Sequence, residues 1–193
     1  MEKKVKLGFV GSRVRMDLIR QIIPAAFPEI AVECYENDQY DYCPEMERDL
    51  YALKKRIDGV IFGGELQFKL YQSVFEPDIP CTCIQKDSVS LSWRKADISR
   101  VSVDNYSPAT VRKVLSDAGI TENNVKILRR RSWTVGERYY QALYREHRQL
   151  YQEGTVDGCV TTLIFVYERL KADGIPAAYS RPTTDNITNT TAR

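Results

Sequence analysis

Glycine, hydroxyl and arginine residues recur where each predicted strand gives way to the next helix. In parallel α/β sheets these positions lie together at the carboxyl edge, where helix N-termini offer unpaired N–H groups. Arginine pairs bidentately with carboxylates and phosphates, so the set favours a ligand with an anionic group. The candidate ligand-binding residues are Gly11, Ser12, Arg13, Gly63, Gly64, Glu65, Ser88, Asp104, Asn105, Ser132, Thr161, Thr162, Arg181 and Thr183.

Catalytic pairs are missing from these strand-end positions. The single histidine, His147, falls in the middle of a predicted helix among charged residues, so we predict that it lies on the surface. Without a Cys/His or Ser/His pairing, nucleophilic hydrolysis has no base. We therefore expect a binding module with no catalytic residues, and not an enzyme.

Metal and cofactor motifs are also missing. The five cysteines form no CxxC pair, and Cys34, Cys81 and Cys159, which fall in strand-like runs, are predicted to be small buried side chains. The run Gly8-Phe9-Val10-Gly11 lacks the third glycine of a dinucleotide fingerprint, and no GxxxxGK[ST] occurs. We expect no metal and no cofactor.

An enzyme remains the alternative interpretation of the same strand ends. A two-lobed α/β enzyme acting on a phosphate- or carboxylate-bearing substrate would need a poised acid or base, and Glu65, Asp87 and Asp104 are the candidates. Asp58 and Asp157 precede their strands at the opposite end, so we predict that they shape turns.

The elements that position these residues come from a repeat. Asp58-Gly59-Val60-Ile61-Phe62-Gly63-Gly64 is nearly repeated as Asp157-Gly158-Cys159-Val160-Thr161-Thr162, and each copy leads into a helical stretch and then Ile-Pro. The apolar runs predict strands, and the segments between them carry helical periodicity. The predicted strands cover residues 5–10, 30–35, 59–62, 81–85, 101–103, 125–128, 158–161 and 177–179.

Strands that alternate with helices of ten or more residues predict parallel sheets with right-handed crossovers. The fold class is therefore α/β, with two similar Rossmann-like (βα)4 lobes and an interlobe cleft. We assign residues 1–99 to the N-terminal lobe and 100–193 to the C-terminal lobe. The repeated Asp-Gly segment is the third strand of each.

Composition is that of a globular protein. The 193 residues carry a net charge of +2, with 43% hydrophobic and 28% charged residues, and no run is long and apolar enough to span a bilayer. Met1 leads directly into the first strand without a secretory signal. We expect a cytoplasmic location and no membrane partner.

The predicted helix over 135–153 carries a tyrosine-rich stripe. Such a stripe at helical spacing is typical of a core-facing side, but tyrosine is also enriched at protein interfaces. We expect either core packing or a homodimer through this helix.

One segment carries a family resemblance. Residues 151–158, Val166-Tyr167-Glu168-Arg169-Leu170, Gly174-Ile175-Pro176 and Arg181-Pro182-Thr183 are similar to the N-terminal sensor region of bacterial, mainly Firmicutes-type, transcriptional regulators. That region resembles the receptor domain of propionate-catabolism-type activators, which is akin to two-lobed periplasmic binding proteins. The turn Thr161-Thr162-Leu163-Ile164 departs from the resemblance, because a glycine-containing turn is expected there.

The resemblance implies a cytoplasmic sensor domain that closes on a small-molecule effector and passes the change to a downstream output module, expected to bind DNA. The chain stops at Arg193 after a capped helix start and without a stop signal. We therefore expect it to be one domain of a longer regulator.

Overall fold

The structure is a computed structural model, and it describes residues 4–38, 42–86, 99–118, 124–128 and 137–192. The chain divides into two compact units. Unit 1 comprises Met1–Lys86 and Pro182–Arg193, and unit 2 comprises Asp87–Arg181.

Unit 1 contains one four-stranded parallel sheet in the order β2-β1-β3-β4. Helix α2 begins with Pro44 in the first turn, where the missing N–H has no cost, and carries Glu45 and Glu47 near the positive end of the helix dipole. The elements are β1 (Val5–Gly11), α1 (Arg13–Ala26), β2 (Ile30–Glu36), α2 (Pro44–Lys54), β3 (Gly59–Phe62), α3 (Glu65–Phe75), β4 (Cys81–Cys83) and α7 (Thr184–Thr191).

Unit 2 repeats the arrangement with the strand order β6-β5-β7-β8, again all parallel. Helices α5 and α6 are followed by Gly154 and Gly174, whose φ angles of 66° and 73° lie in the left-handed region that glycine adopts without strain. The elements are β5 (Val101–Asp104), α4 (Pro108–Ala118), β6 (Val125–Leu128), α5 (Glu137–Gln152), β7 (Gly158–Thr161), α6 (Ile164–Ala172) and β8 (Ala177–Tyr179).

The predicted fold class is confirmed, because each unit is a parallel sheet with alternating helices. The Asp-Gly segment is the third strand of both units. The helix expected over residues 90–99 lies outside the described residues. No helix in the described part of the chain has the length and apolarity that crossing a membrane requires.

Unit 1 has an apolar core on each face of its sheet. Alternate residues of a strand point to opposite faces, so Val10 and Phe62 pack with α2 and α3, whereas Phe9 and Ile61 pack with α1. Ile187 of α7 belongs to this second cluster and is almost fully buried. The C-terminal helix therefore completes the core of unit 1.

This packing gives a division of the chain that differs from the expected one at 99/100. Helix α7 packs on α1, so residues 182–193 group with the first half of the chain although they follow the second. A single isoleucine, Ile187, makes the apolar contact of this threonine-rich helix. The sequence does not indicate which element it packs against. The other boundary between the units falls between Lys86 and Asp87.

One face of the unit 2 sheet is apolar, and the other carries buried polar residues beside buried apolar ones such as Cys159 and Leu128. Val101, Val103 and Val160 pack with α4 in an apolar cluster. The residues that alternate with them, Ser102 and Asp104, are fully buried and hydrogen bond to α5.

The two repeated aspartates make matching long-range hydrogen bonds to the start of the neighbouring central strand, and the prediction that they shape turns stays a prediction. The carboxylate of Asp58 accepts the Lys6 N–H at 2.8 Å, and that of Asp157 accepts the Arg100 N–H at 3.0 Å. In return, each aspartate donates its own N–H to the carbonyl of the same partner, at 2.7 Å in both units. The repeat is thus reproduced at the level of individual hydrogen bonds.

Candidate functional site

The strand orders locate one topological switch point in each unit. In unit 1 the connection from β1 leads to β2 on one side, and the connection from β3 leads to β4 on the other side, so the connections diverge between β1 and β3. In unit 2 they diverge in the same way between β5 and β7. Open α/β sheets bind ligands outside the carboxyl ends of such strand pairs. We call residues 11–15 with 63–64 the unit 1 switch point, and residues 104–105 with 161–162 the unit 2 switch point.

The unit 1 switch point is closed by two glycines. A Cβ on Gly63 would lie 3.3 Å from the Gly11 Cα, and a Cβ on Gly11 would lie 2.8 Å from ring atoms of the buried Phe9. Both contacts are too short for an undisturbed Cβ. The backbones of the two loops therefore approach each other because neither residue has a side chain.

Arg15 lies across this glycine pair. A Cβ on Gly64 would be 3.1 Å from the Arg15 Nη1 atom, and a Cβ on Gly63 would be 3.3 Å from its Cδ atom. The predicted arginine, Arg13, is exposed as the first residue of α1. Sequence reasoning missed Arg15, although its position in the first turn of α1, three residues after the strand-end Ser12, was the available signal.

Ser12 brings a buried hydroxyl to the start of α1. It is the N-cap residue, it is 5% exposed, and its Oγ has no hydrogen-bond partner among the described residues. Its side chain does not cap the helix, and the N-cap of α3, Gly64, has no side chain that could. Neither N-cap residue of the unit 1 switch point therefore caps its helix with its own side chain.

Glu65 is the first residue of α3. Its carboxylate lies 2.8 Å from the Lys69 Nζ one turn along, and both side chains are about half exposed. This surface ion pair favours the helix by a few tenths of a kcal/mol, roughly.

The unit 2 switch point is built around a buried carboxylate. Asp104 is 0% exposed, and its Oδ1 accepts the Thr162 N–H at 3.1 Å and the Asn105 Nδ2 at 3.3 Å. The Thr162 hydroxyl lies at 3.4 Å from the same oxygen. The other carboxylate oxygen of Asp104, Oδ2, lies 3.1 Å from His147 Nε2.

The predicted surface position of His147 is wrong. The side chain is 0% exposed, and its Nδ1 lies 2.7 Å from the Ser102 Oγ while Nε2 meets Asp104. Charged neighbours in sequence suggested a solvated position, but His147 stands four residues after Leu143 and three after Tyr144, both buried. That helical spacing was the signal for the core-facing side.

The buried pair is charged. Burial alone would lower the pKa of His147, but the hydrogen bond and negative charge of Asp104, with Cys159 nearby, raise it to about 9. Burial alone would raise the pKa of Asp104, yet His147 and the donors of Thr161 and Thr162 hold it below its ordinary value. At neutral pH an imidazolium therefore faces a carboxylate inside unit 2.

Asn105 connects the two strand ends of unit 2. Its φ of 55° lies in the left-handed region, which asparagine tolerates better than most residues. Its Nδ2 donates to the Thr162 Oγ1 at 3.2 Å, and the hydroxyl of Tyr139 donates to its Oδ1. The predicted residues 104, 105, 161 and 162 are therefore brought together.

Two side chains of unit 2 accept N–H groups close to helix starts, although the N-cap residue of α6, Leu163, makes no side-chain cap bond. The Thr110 N–H in α4 donates to the Ser107 Oγ at 3.0 Å. Ahead of α6, the Leu163 N–H donates to the Thr161 Oγ1 at 3.1 Å. Leu163, Thr162 and Thr110 thus donate to side-chain oxygens of unit 2.

The remaining predicted ligand residues are not brought to either switch point by any observed contact. Thr183 caps α7, with its Oγ1 accepting the Asn186 N–H at 3.1 Å. The exposed Arg181 lies over the Tyr179 ring at 6.0 Å. Ser88, Ser132 and the candidate base Asp87 lie outside the described residues. The described residues contain no group of three or more side chains that could hold a metal ion.

The tyrosine stripe of α5 packs within unit 2. Tyr140 stacks on Phe165 with ring centroids 5.7 Å apart, and the Tyr144 hydroxyl donates to Asp173. The guanidinium of Arg169 lies 4.8 Å from the centre of the Tyr144 ring. These contacts agree with the core interpretation, and the homodimer through this helix stays a prediction.

No protein-family model and no curated protein matches the chain. Solved structures do. An NtrC family transcriptional regulator from Clostridium acetobutylicum has a TM-score of 0.65 at 10% identity, covering 99% of this chain and 95% of that chain. The transcription regulator CcpA of Lactococcus lactis has a TM-score of 0.47 at 14% identity, covering 92% and 76%. Glutamate racemase from Aquifex pyrophilus has a TM-score of 0.44 at 12% identity, covering 97% and 83%.

The first of these structures shares the α/β fold over nearly its whole length. The solved structures that match include an enzyme as well as regulators. The expectation that the chain is not an enzyme is corrected by a contact within unit 2. The missing Ser/His pairing on which that expectation rested is present as Ser102 and His147.

Proposed function

We propose that this chain is the small-molecule effector-binding sensor domain of a bacterial transcriptional regulator, and that the unit 1 switch point binds the anionic group of the effector. The observation that carries the proposal is the buried hydroxyl of Ser12, which lacks a hydrogen-bond partner at the start of α1. An unpaired buried hydroxyl costs about 1 to 3 kcal/mol, which a bound acceptor would recover.

The surroundings of Ser12 favour an anion. The N-terminal turns of α1 and α3 contribute partial positive charge and N–H donors, and the Arg15 guanidinium lies beside them. Gly11 and Gly63 allow the backbone to approach a ligand closely, as occurs in other anion-binding loops. A carboxylate or phosphate group suits these donors.

Similarity to transcriptional regulators supports the part of the proposal that assigns the chain to a regulator. The NtrC family transcriptional regulator of Clostridium acetobutylicum shares the fold, and residues 151–184 resemble the sensor region of such proteins. A sensor of this type acts in the cytoplasm and transmits effector binding to a DNA-binding output module. Binding shifts the conformation only if the effector has a higher affinity for one state than for the other.

A thermal-shift screen tests the proposal. We expect one class among organic acids, sugar phosphates and nucleotides to raise the melting temperature, since a ligand that binds only the folded state stabilises it. Ser12→Ala and Arg15→Gln should each weaken the binding about tenfold, whereas Arg20→Gln, a change further along α1, should leave it unaltered. No stabilisation by any class, or equal loss in the control, would refute the site.

A second candidate is an enzyme acting on a phosphate- or carboxylate-bearing substrate. The hydrogen-bonded series Ser102, His147 and Asp104 favours it, because it places a hydroxyl, an imidazole and a carboxylate in line, and the imidazole can act as a base where it is neutral, above its pKa of about 9. All three side chains are 0% exposed, so substrate would have to reach them through an opening of unit 2. Hydrolysis of p-nitrophenyl acetate or phosphate that is lost in Ser102→Ala would support this candidate.

A further inference from the structure

The two switch points can be compared position by position. Gly59 pairs with Leu7 in unit 1, and Gly158 pairs with Val101 in unit 2. Three residues further along the central strands stand Val10 and Asp104, and four residues beyond the glycines stand Gly63 and Thr162. The equivalent α3 and α6 begin six residues beyond those glycines in both units.

At the equivalent positions the same N–H group meets different acceptors. In unit 1 the Gly63 N–H donates to the backbone oxygen of Val10 at 2.7 Å. In unit 2 the Thr162 N–H donates to the side-chain carboxylate of Asp104 at 3.1 Å. A carboxylate thus occupies the place between the two central strand ends where α/β sheets bind ligands.

We propose that the unit 2 switch point is a carboxylate-binding site whose ligand is the chain's own Asp104. The donors of a binding site are all present: the Thr162 N–H and hydroxyl, the Asn105 amide and the His147 imidazole surround the two carboxylate oxygens. The imidazolium supplies the counter-charge that a buried carboxylate requires.

The inference extends the proposed function, on which the following step rests. Because the internal carboxylate already engages these donors, the unit 2 switch point, as far as the described residues show it, leaves them unavailable to an effector carboxylate. The anionic group of the effector is therefore recognised at the unit 1 switch point, where the Ser12 hydroxyl lacks an internal partner.

Chemical rescue tests the internal ligand directly. Asp104→Gly removes a group that is equivalent to acetate, and it leaves the four donors in place. In sodium chloride we expect this variant to have a lower melting temperature than the unaltered protein. When sodium acetate replaces the chloride at the same ionic strength, the melting temperature of the variant should rise by several degrees more than that of the unaltered protein. An equal response to acetate in both proteins would overturn the proposal.

The imidazole gives a second readout, because His147 is the only histidine of the chain. In the nitrogen-15 spectrum of Asp104→Gly, acetate should shift the imidazole resonances towards those of the unaltered protein, whereas chloride should not. Asp104→Asn is the matched control, since its amide fills the site and should abolish the acetate response.

If Asp104→Gly does not fold, a measurement on Asp104→Asn still tests the proposal. Asp104→Asn retains the shape of the side chain and an acceptor for Thr162, but it removes the negative charge. The pKa of His147, about 9 in the unaltered protein, should then fall, because the negative charge of Asp104 no longer opposes the effect of burial. A pKa that stays near 9 would overturn the proposal.

The outcomes separate the two proposals. If no compound of the screen binds, the effector site at unit 1 fails, but acetate rescue of Asp104→Gly is unaffected. If rescue fails while Ser12→Ala weakens binding of a compound from the screen, the internal carboxylate site fails alone.

Discussion

The two switch points lie in units that share a strand order and a pattern of aspartate hydrogen bonds. They differ in whether their buried polar groups have hydrogen-bond partners. In unit 1 the Ser12 hydroxyl is buried without a hydrogen-bond partner among the described residues. In unit 2 the carboxylate of Asp104 meets an N–H group, an amide, a hydroxyl and an imidazole. The comparison teaches that two copies of one strand arrangement can leave a buried hydroxyl unpaired in one copy and surround a buried carboxylate with donors in the other.

The difference follows from the residues at the strand ends. Gly11 and Gly63 bring two backbones together, and neither N-cap residue of the neighbouring helices caps its helix with its own side chain. Asn105 and Thr162, at the corresponding positions, supply side chains that bond to each other and to Asp104. Unit 2 is thereby stabilised internally, and four predictions can break or sharpen the contrast.

The largest expected effect is that of His147→Leu. The change removes the counter-ion and leaves the Asp104 carboxylate buried without it, so we expect the free energy of unfolding to fall by about 3 to 5 kcal/mol. Urea denaturation measures this. The double variant Asp104→Asn with His147→Gln should regain a large part of the loss, because no charge remains buried. A loss below about 1 kcal/mol for His147→Leu would contradict the charged pair.

The second effect is a pH dependence of the same pair. The folded pKa of His147, about 9, exceeds its ordinary value of 6.5, so its contribution to stability is complete below pH 6.5 and is lost as the pH rises through 9. The loss amounts to about 3 kcal/mol. Asp104, whose pKa is lowered, contributes above its ordinary value of 3.8 and loses this contribution as the pH falls below that value.

Unfolding free energies of the unaltered protein and of His147→Gln, compared at each pH from 5 to 10, isolate this contribution. Their difference should be constant up to about pH 6.5 and then decrease. A difference that stays constant to pH 10 would show that the imidazole does not titrate in this range.

The third effect concerns the glycines of unit 1. In Gly11→Ala the new Cβ would lie 2.8 Å from the Phe9 ring, which is in the core, so we expect destabilisation by about 1 to 3 kcal/mol. Gly64→Ala is the matched control, because its Cβ meets only the end of the Arg15 side chain, at 3.1 Å. Thermal unfolding should separate the two, and equal losses would argue against a tight glycine contact.

The smallest effect compares two serines at helix starts. Ser107→Ala removes a cap from α4 and should cost about 1 kcal/mol. Ser12→Ala removes a buried hydroxyl without a partner, so we expect a change within about 0.5 kcal/mol, or a gain. Denaturant midpoints of both variants test this, and a loss at Ser12 as large as that at Ser107 would mean that Ser12 serves the fold.

Much of the fold could be predicted, because strands covered on both faces appear as continuous apolar runs and the helices between them keep their period. Positions 11, 12, 63, 104, 105, 161 and 162 were predicted because parallel strands place their carboxyl ends along one edge. Arg15 and His147 were missed because helix residues reach a strand end through their side-chain direction, which depends on how the helix lies on the sheet.

The sequence by itself determined the strands, their alternation with helices and the repeated Asp-Gly segment, since these depend on local periodicity and on chain order. Only the tertiary structure decided that α7 completes unit 1 and that His147 meets Asp104, 43 residues away, inside unit 2. The physical reason is that the protonation and burial of a side chain depend on neighbours from distant elements. A charged sequence context around His147 therefore said nothing about the carboxylate that binds it.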